Sequence, residues 1–372
     1  MKKILMTASA LALGATAATA GGIERSSQSV GILFEKGNYA ELNFGGFSPD
    51  VSGTVGGGAV SSGDMTGGYG TYSLGYKRAL NEKIDFALVL ENAIGANVGY
   101  PIDSRYPLRG TTAEVENMSL TAMMRYKMPQ NVSLIGGVRA LRTSGVVSLP
   151  AVSVPGLGGY RMSSSTETDF GYLVGVAWEK PEIAARVALT YNSKITHDFT
   201  ANENFSPVPT LFSTTVPESV NLEFQTGVAK DTLVFGSVRW VHWKQFDITP
   251  PVYSGIDPDG PGPLGRLGSL VDYKANTTTY TLGLGRKFSD QWSGAVVLGY
   301  EGASDERTGQ LGPTDGFRSI ALAGTYQATE NVKVTLGVRY VDIGDATTNS
   351  PVNGDFSGNS GWGAGVRVGV SF

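Results

Sequence analysis

A chain of 372 residues with 33 acidic and 29 basic side chains has a slight negative balance, which argues against a nucleic-acid partner. Cysteine is absent, so a disulfide framework and a thiolate metal site are excluded. Glycine reaches 51 residues while charged residues are only 17%, and beyond the N-terminus no apolar run of about 18 residues occurs, which excludes helical membrane spans.

Lys2 and Lys3 precede an apolar run from Ile4 to about Ala15 and the small-residue triplet Ala18-Thr19-Ala20, the pattern of a secretory signal peptide over residues 1–20. Without Lys2 and Lys3 the balance becomes 27 basic to 33 acidic residues. No cysteine follows the cleavage site, so a lipoprotein anchor is excluded. Residues 21–37 form a short plug-like segment, in which Ile32, Leu33 and Phe34 could pack inside a barrel or simply lead into the first strand.

From residue 38 to 372, alternating segments predict strands at 38–48, 69–79, 84–94, 113–128, 131–144, 165–178, 183–195, 217–229, 232–246, 274–288, 291–302, 316–328, 331–343 and 361–372, about 14 in all. Tight turns at Asn81-Glu82-Lys83, Pro129-Gln130, Lys180-Pro181-Glu182, Lys230-Asp231, Ser289-Asp290 and Thr329-Glu330 alternate with long connections rich in Gly, Pro, Ser, Thr and Asn. Short turns on one rim and long loops on the other are the pattern of an outer-membrane barrel. The fold class is therefore all-β, a transmembrane antiparallel β-barrel, closed because hydrocarbon offers no partner to a free sheet edge. Trp178 and Trp292 beside tight turns, and Trp240, Trp243 and Trp362 towards the long loops, mark two interfacial belts.

Alternation places Lys77, Arg125, Lys127, Arg139, Arg186, Arg239, Lys287, Lys333, Arg339 and Arg367 inside, against Glu41, Asp85, Glu91, Asp169, Glu223 and Glu301. A net basic lumen would favour an anionic head group, although barrel interiors also need charge ladders of their own. In the third strand Ile84, Phe86, Leu88 and Leu90 face lipid, but the next outward position is Asn92, with Gly95 soon after. Either the strand has reached the head groups there, or it bends inward and opens the wall.

Leu149, Val152 and Leu157 in one long loop, and Phe205, Leu211 and Phe212 in another, form apolar surfaces suited to capture of a hydrophobic ligand or to roofing the barrel. Inward Met123, Ile135 and Leu141 favour a greasy pocket. The sequence predicts no enzyme: Ser193 and His197 lie close together, but no oxyanion donor accompanies them. No metal site or cofactor is predicted either, since Asp257 and Asp259 fall short of the six to eight oxygens that Ca²⁺ takes. The last strand alternates Trp362, Ala364, Val366, Val368, Val370 and Phe372 against Gly and Arg, and its terminal aromatic suits contact with outer-membrane lipid and with the barrel-assembly machinery.

Several of these segments resemble the FadL-type outer-membrane transporters of long-chain fatty acids and other hydrophobic compounds. The resemblance is carried by Arg25-Ser26-Ser27-Gln28-Ser29, Phe34-Glu35-Lys36-Gly37-Asn38-Tyr39-Ala40-Glu41-Leu42, Ser48-Pro49-Asp50-Val51-Ser52-Gly53, Val216-Pro217-Glu218-Ser219, Arg239-Trp240-Val241-His242-Trp243, Gly283-Leu284-Gly285-Arg286-Lys287-Phe288 and Asn331-Val332-Lys333-Val334. It implies a fourteen-strand barrel in a Gram-negative outer membrane and passive uptake of a fatty acid or similar hydrophobic molecule. Capture by external loops, a lumenal pocket, a shifting N-terminal plug and lateral exit at a kinked third strand are implied with it. The short segment 21–37 departs from the family's longer plug with its Asn-Pro-Ala motif. Candidate ligand-binding residues are Arg139, Arg239, Arg339, Arg367, Met123, Ile135, Leu141 and Phe34, with Asn92 and Gly95 at a lateral opening. The alternative is a general or anion-preferring porin for small polar solutes.

Overall fold

The structure is a computed structural model that describes residues 23–255, 264 and 267–372. The expected signal peptide and the Asp257 to Asp259 turn lie outside the described residues. Fourteen strands build the wall: β1 Tyr39–Asp50, β2 Tyr69–Ala79, β3 Ile84–Glu91, β4 Thr112–Lys127, β5 Val132–Val154, β6 Glu167–Lys180, β7 Ala185–Asn192, β8 Ser219–Ala229, β9 Thr232–Val241, β10 Thr277–Lys287, β11 Trp292–Glu301, β12 Phe317–Gln327, β13 Val332–Ile343 and β14 Asn359–Ser371. Each pairs antiparallel with its sequence neighbours, and β14 closes on β1 in a register running from Tyr39↔Ser371 to Asp50↔Ser360. Closure satisfies the ladder edges that lipid could not, except at a break after Glu91.

The tight turns use backbone geometry that the sequence advertises. Gln130 and Asn131 have φ of 64° and 63°, and Asp231 has φ 58°, left-handed positions that Asn and Asp tolerate better than most residues. Apolar side chains face outward as expected, with Phe44, Leu74, Leu298 and Trp362 half or more exposed to what is lipid in the membrane. Two inward glycines are seats for aromatic rings: a Cβ at Gly369 would lie 2.2 Å from the Tyr39 hydroxyl, and one at Gly361 would lie 2.3 Å from the Phe47 ring. Tyr39 and Phe47 are consequently buried inside the wall at opposite ends of β1.

Among the boundaries that differ from those expected, three bear on the site. The fifth strand runs on to Val154 and pairs with a ribbon at Gly158–Ser164, so the apolar stretch around Leu149 is a β-hairpin and not an irregular loop. Val147 and Leu149 point inward there, an alternation masked by the neighbouring outward Val146, and the register shift between Leu149 and Ser153 brackets Pro150, which has no N–H to give. The ninth strand stops at Val241, where a short 3₁₀ turn at Trp243–Gln245 swings Trp243 out of the expected belt into a buried cluster with Val241 and Phe246. The third strand ends at Glu91 instead of 94, and this difference organises the site.

Candidate functional site: the lumen, the third strand and the outer cavity

The tail from Ile23 to Gly37 threads the lumen and is tied to the wall along its length. Glu24 accepts hydrogen bonds from Arg239, Ser26 Oγ donates to Glu91 at 2.5 Å, Asn221 donates to the Ser27 carbonyl at 2.7 Å, Arg139 donates to Gln28, and the Val30 N–H reaches Glu223 at 3.3 Å. Val30, Ile32 and Leu33 pack with Ala87, Met123, Ile135 and Leu173, so the inward apolar positions of β3 to β6 meet the tail. Ile32 also fills the space over Gly75, where a Cβ would lie 2.6 Å away. The Phe34 ring is held between the guanidinium groups of Arg125 and Arg186, 4.3 and 4.4 Å from its centroid, contacts worth about 1–2 kcal/mol each when desolvated. Lys77 Nζ then donates to the carbonyls of Glu35 and Gly37 at 3.0 and 2.7 Å while pairing with Asp85 at 3.0 Å.

The tail also repairs the break in the third strand. Pairing between β3 and β4 runs to Glu91↔Ser119, lapses over residues 92–95 and resumes with a short strand Ala96–Gly99. Opposite the break, Tyr69 to Tyr72 of β2 pair in register with β1 alone. The freed backbone groups find substitutes: the Arg25 N–H donates to Ala93 O at 2.9 Å, and Gly95 N–H donates to Ile23 O at 2.7 Å. On the other flank the Asn117 carboxamide accepts from the N–H of Ala93 and Ile94 at 3.3 and 3.4 Å. Asn117 Nδ2 in turn donates to Thr143 Oγ1 at 2.8 Å; that hydroxyl lies 3.1 Å from Nε2 of buried His197, whose Nδ1 is 2.7 Å from Asp169. Buried polar groups need such partners, and here nearly all come from outside the wall's own ladder.

Arg25 occupies the gap itself. Its guanidinium lies 4.3 Å from the centroid of Tyr69 on β2, and a Cβ at Gly95 would lie 2.4 Å from its Cζ. Only glycine leaves room for it. Burial pulls the Arg25 pKa below the usual arginine value, with Tyr69 and Glu114 acting in the opposite direction.

Outside the break, two cavities share Ile23, Ala96, Val98, Tyr273 and Leu311. The outer one holds about 1000 Å³ of empty space, part of it open to the exterior, behind Val147, Met162, Phe199, Phe212, Phe246 and Leu270. The second, about 790 Å³, runs along Arg25, Tyr69 and Gly95 to the gap. The charged side chains on the described wall of the outer cavity are Glu114 and Asp272.

The barrel has counterparts in known proteins. The sequence model of the family described as outer membrane protein transport protein (OMPP1/FadL/TodX) matches residues 39–367. The chain belongs to the FadL/TodX family. Its barrel is accordingly a multi-pass protein of a Gram-negative outer membrane, and a channel for hydrophobic compounds, not an enzyme. A Pseudomonas aeruginosa FadL homologue has the same fold with a TM-score of 0.73 at 16% identity, over 98% of this chain and 96% of that one. The Pseudomonas putida toluene transporter TodX gives 0.64 at 12% identity, over 95% and 98%. The Ralstonia pickettii toluene transporter TbuX gives 0.62 at 14%, over 100% and 99%. No curated protein matches the chain.

Within this FadL/TodX barrel the expected site residues separate into groups. Arg139 and Arg239 hold the tail, Arg339 bonds Ser319 and lies 5.3 Å from the Phe317 ring, and Arg367 bonds Asn43; none of the four lines the outer cavity. Met123, Ile135 and Phe34 pack with the tail, while Leu141 joins Ala93 and Ile94 behind the break. Asn92 and Gly95 bound the break, Asn92 Oδ1 accepting from Tyr72 N–H at 3.3 Å. Leu149 is buried beside Tyr160, Val152 and Phe205 pack partly against the same cluster, Phe212 stacks on Phe199 at 5.3 Å, and Leu157 and Leu211 are exposed. Sequence reasoning missed Arg25, Asn117 and Tyr273. Asn117 carried a signal, an inward amide in register with the break, whereas Tyr273 sits in a connection with no periodicity to read.

Proposed function

We propose that the barrel is a passive uptake channel for small, uncharged hydrophobic molecules, taken into the outer cavity and released sideways where the third strand leaves the wall. The observation that carries this is the cavity wall, apolar apart from hydroxyls, His197 and the two carboxylates Glu114 and Asp272. Asp272 is paired with Lys274 and Glu114 faces Arg25, and the described wall of the outer cavity carries no Lys or Arg to receive the carboxylate of a long-chain fatty acid, while an unpaired buried anion is costly. The lumenal arginines that could have neutralised it are engaged by the tail and the wall. Two of the similar structures are toluene transporters, which fits an uncharged aromatic ligand. A general porin needs a continuous water column, and the tail occupies that path. Release requires Arg25 to leave Gly95 and Tyr69. The exposed C-terminal Phe372, 6.3 Å from Tyr76, is the proposed handle for barrel assembly.

Uptake of radiolabelled toluene and of radiolabelled oleate should be followed in cells that lack their own homologue and carry this chain. Faster toluene entry with unchanged oleate entry is expected. Faster oleate entry with no effect on toluene would overturn the ligand class.

A further inference from the structure

Tyr273 stands where the two cavities meet and lines both. Its ring is fixed by Trp243 and Phe246, with centroids 5.0 and 5.6 Å away. Its hydroxyl has no hydrogen-bond partner among the described residues, and burial alone raises its pKa, with no neighbouring charge or hydrogen bond contributing. The same wall holds a buried hydroxyl: Thr214 is 6% exposed and its Oγ1 is buried without a partner. Rotation about its Cα–Cβ bond exchanges that hydroxyl with the methyl group facing the cavity. The other polar side chains in the deep wall are satisfied, Thr143 and His197 by each other and Ser164 by Gly145 N–H and Ser165 O. A tyrosine hydroxyl without a protein partner at the seam of an apolar cavity, and a buried threonine hydroxyl without one in the same wall, are both groups that a ligand can satisfy.

We propose that Tyr273, assisted by Thr214, is the hydrogen-bonding point of the outer cavity and selects hydrophobic molecules that carry one neutral polar substituent, a phenol, alcohol or ketone, over the bare hydrocarbon. This rests on the reading of the cavity as the binding site for uncharged hydrophobic compounds and narrows it. A ligand hydroxyl can both donate to and accept from the tyrosine, whereas a hydrocarbon leaves the phenol unpaired. A site built around a polar group discriminates against the ligand lacking it more strongly than an apolar pocket discriminates by size.

The test uses the full barrel in lipid nanodiscs, with 4-ethylphenol and ethylbenzene titrated calorimetrically against empty nanodiscs as blank. The readout is the ratio of the two dissociation constants, in which partitioning into lipid cancels between variants. Tyr273→Phe keeps the ring packing and should weaken 4-ethylphenol by about 5–10-fold, the worth of one neutral hydrogen bond, while ethylbenzene stays within about twofold. Thr214→Val, which keeps the shape, should shift the ratio in the same direction by about 2–3-fold. A ratio unchanged by Tyr273→Phe, with ethylbenzene still bound, overturns the inference and leaves the uptake reading standing. Binding of neither probe by the unaltered barrel overturns both.

Discussion

Asn117→Ala isolates what holds the third strand in its bent course. The side chain is 7% exposed and spans the break, accepting from Ala93 and Ile94 and donating to Thr143 and the Arg142 carbonyl. Truncation leaves two buried backbone N–H groups without acceptors; their bonds are long, at 3.3 and 3.4 Å, so the low end of the range applies, about 1 kcal/mol each. The barrel has thirteen other strand pairings to keep it closed, so the loss of roughly 2 kcal/mol falls on local opening, a factor of about 30 in the opening equilibrium. Hydrogen exchange read by mass spectrometry on peptides covering residues 84–99 should therefore show Ala93 and Ile94 exchanging about 30-fold faster, with β2 unchanged. Thr143→Val removes the next member of the chain but leaves the acceptor oxygen in place, and should accelerate the same amides less than about fivefold. Exchange in Asn117→Ala within about threefold of the parent would refute the claim that this carboxamide carries the bend.

Phe34→Ala removes a ring held by two guanidinium groups and part of the tail's apolar packing, and should weaken docking of the tail by about 3–5 kcal/mol, seen as frequent conductance bursts in planar bilayers where the parent is quiet. Arg25→Ala unblocks the gap without touching the outer cavity; toluene uptake should rise while affinity for the ligand stays within about twofold. Burial raises the Glu35 carboxyl above its ordinary range in the docked tail, so docking is weakened as pH rises from the undocked pKa, about 4.3, through the docked one. Glu35→Gln should accordingly slow exchange across residues 23–37 at neutral pH and make no difference below about pH 4.

Much of the wall was legible because membrane barrels write their structure in single-residue alternation. The terminal strand shows this most clearly: Trp362 to Phe372 against Gly361 to Ser371 states which face meets lipid, and the register with β1 follows from it. The broken outward pattern at Asn92 showed where the alternation fails, since an amide in that position needs a partner that a regular wall does not supply, but the strand was expected to run on to 94 and ends at Glu91. The fate of the lumenal charges was not legible. Alternation says that Arg139 and Arg239 point inward, but their partners are Gln28 and Glu24, more than a hundred residues away in a segment without period. The outer cavity was hidden for the same reason. Its walls come from three ribbons and connections around Ala96, Met162, Phe212 and Tyr273, whose meeting depends on where the strands beneath them end.

The division of labour between tail and cavity follows from charge. The inward face of the wall holds buried cations, among them Lys77, Arg139 and Arg239. Each cation inside then needs a counter-charge or a carbonyl, and the tail brings Glu24, Gln28 and backbone oxygens to Arg239, Arg139 and Lys77 in only fifteen residues. A fatty acid entering that region would have to displace these bonds one by one, losing what it gained at each guanidinium. An uncharged molecule held outside the plug displaces none of them. On the proposed route it would pass only the Arg25 side chain, which rests on the Tyr69 ring and over Gly95. In that proposal the ion pairs and carbonyl contacts of the tail stay in place while a single side chain moves.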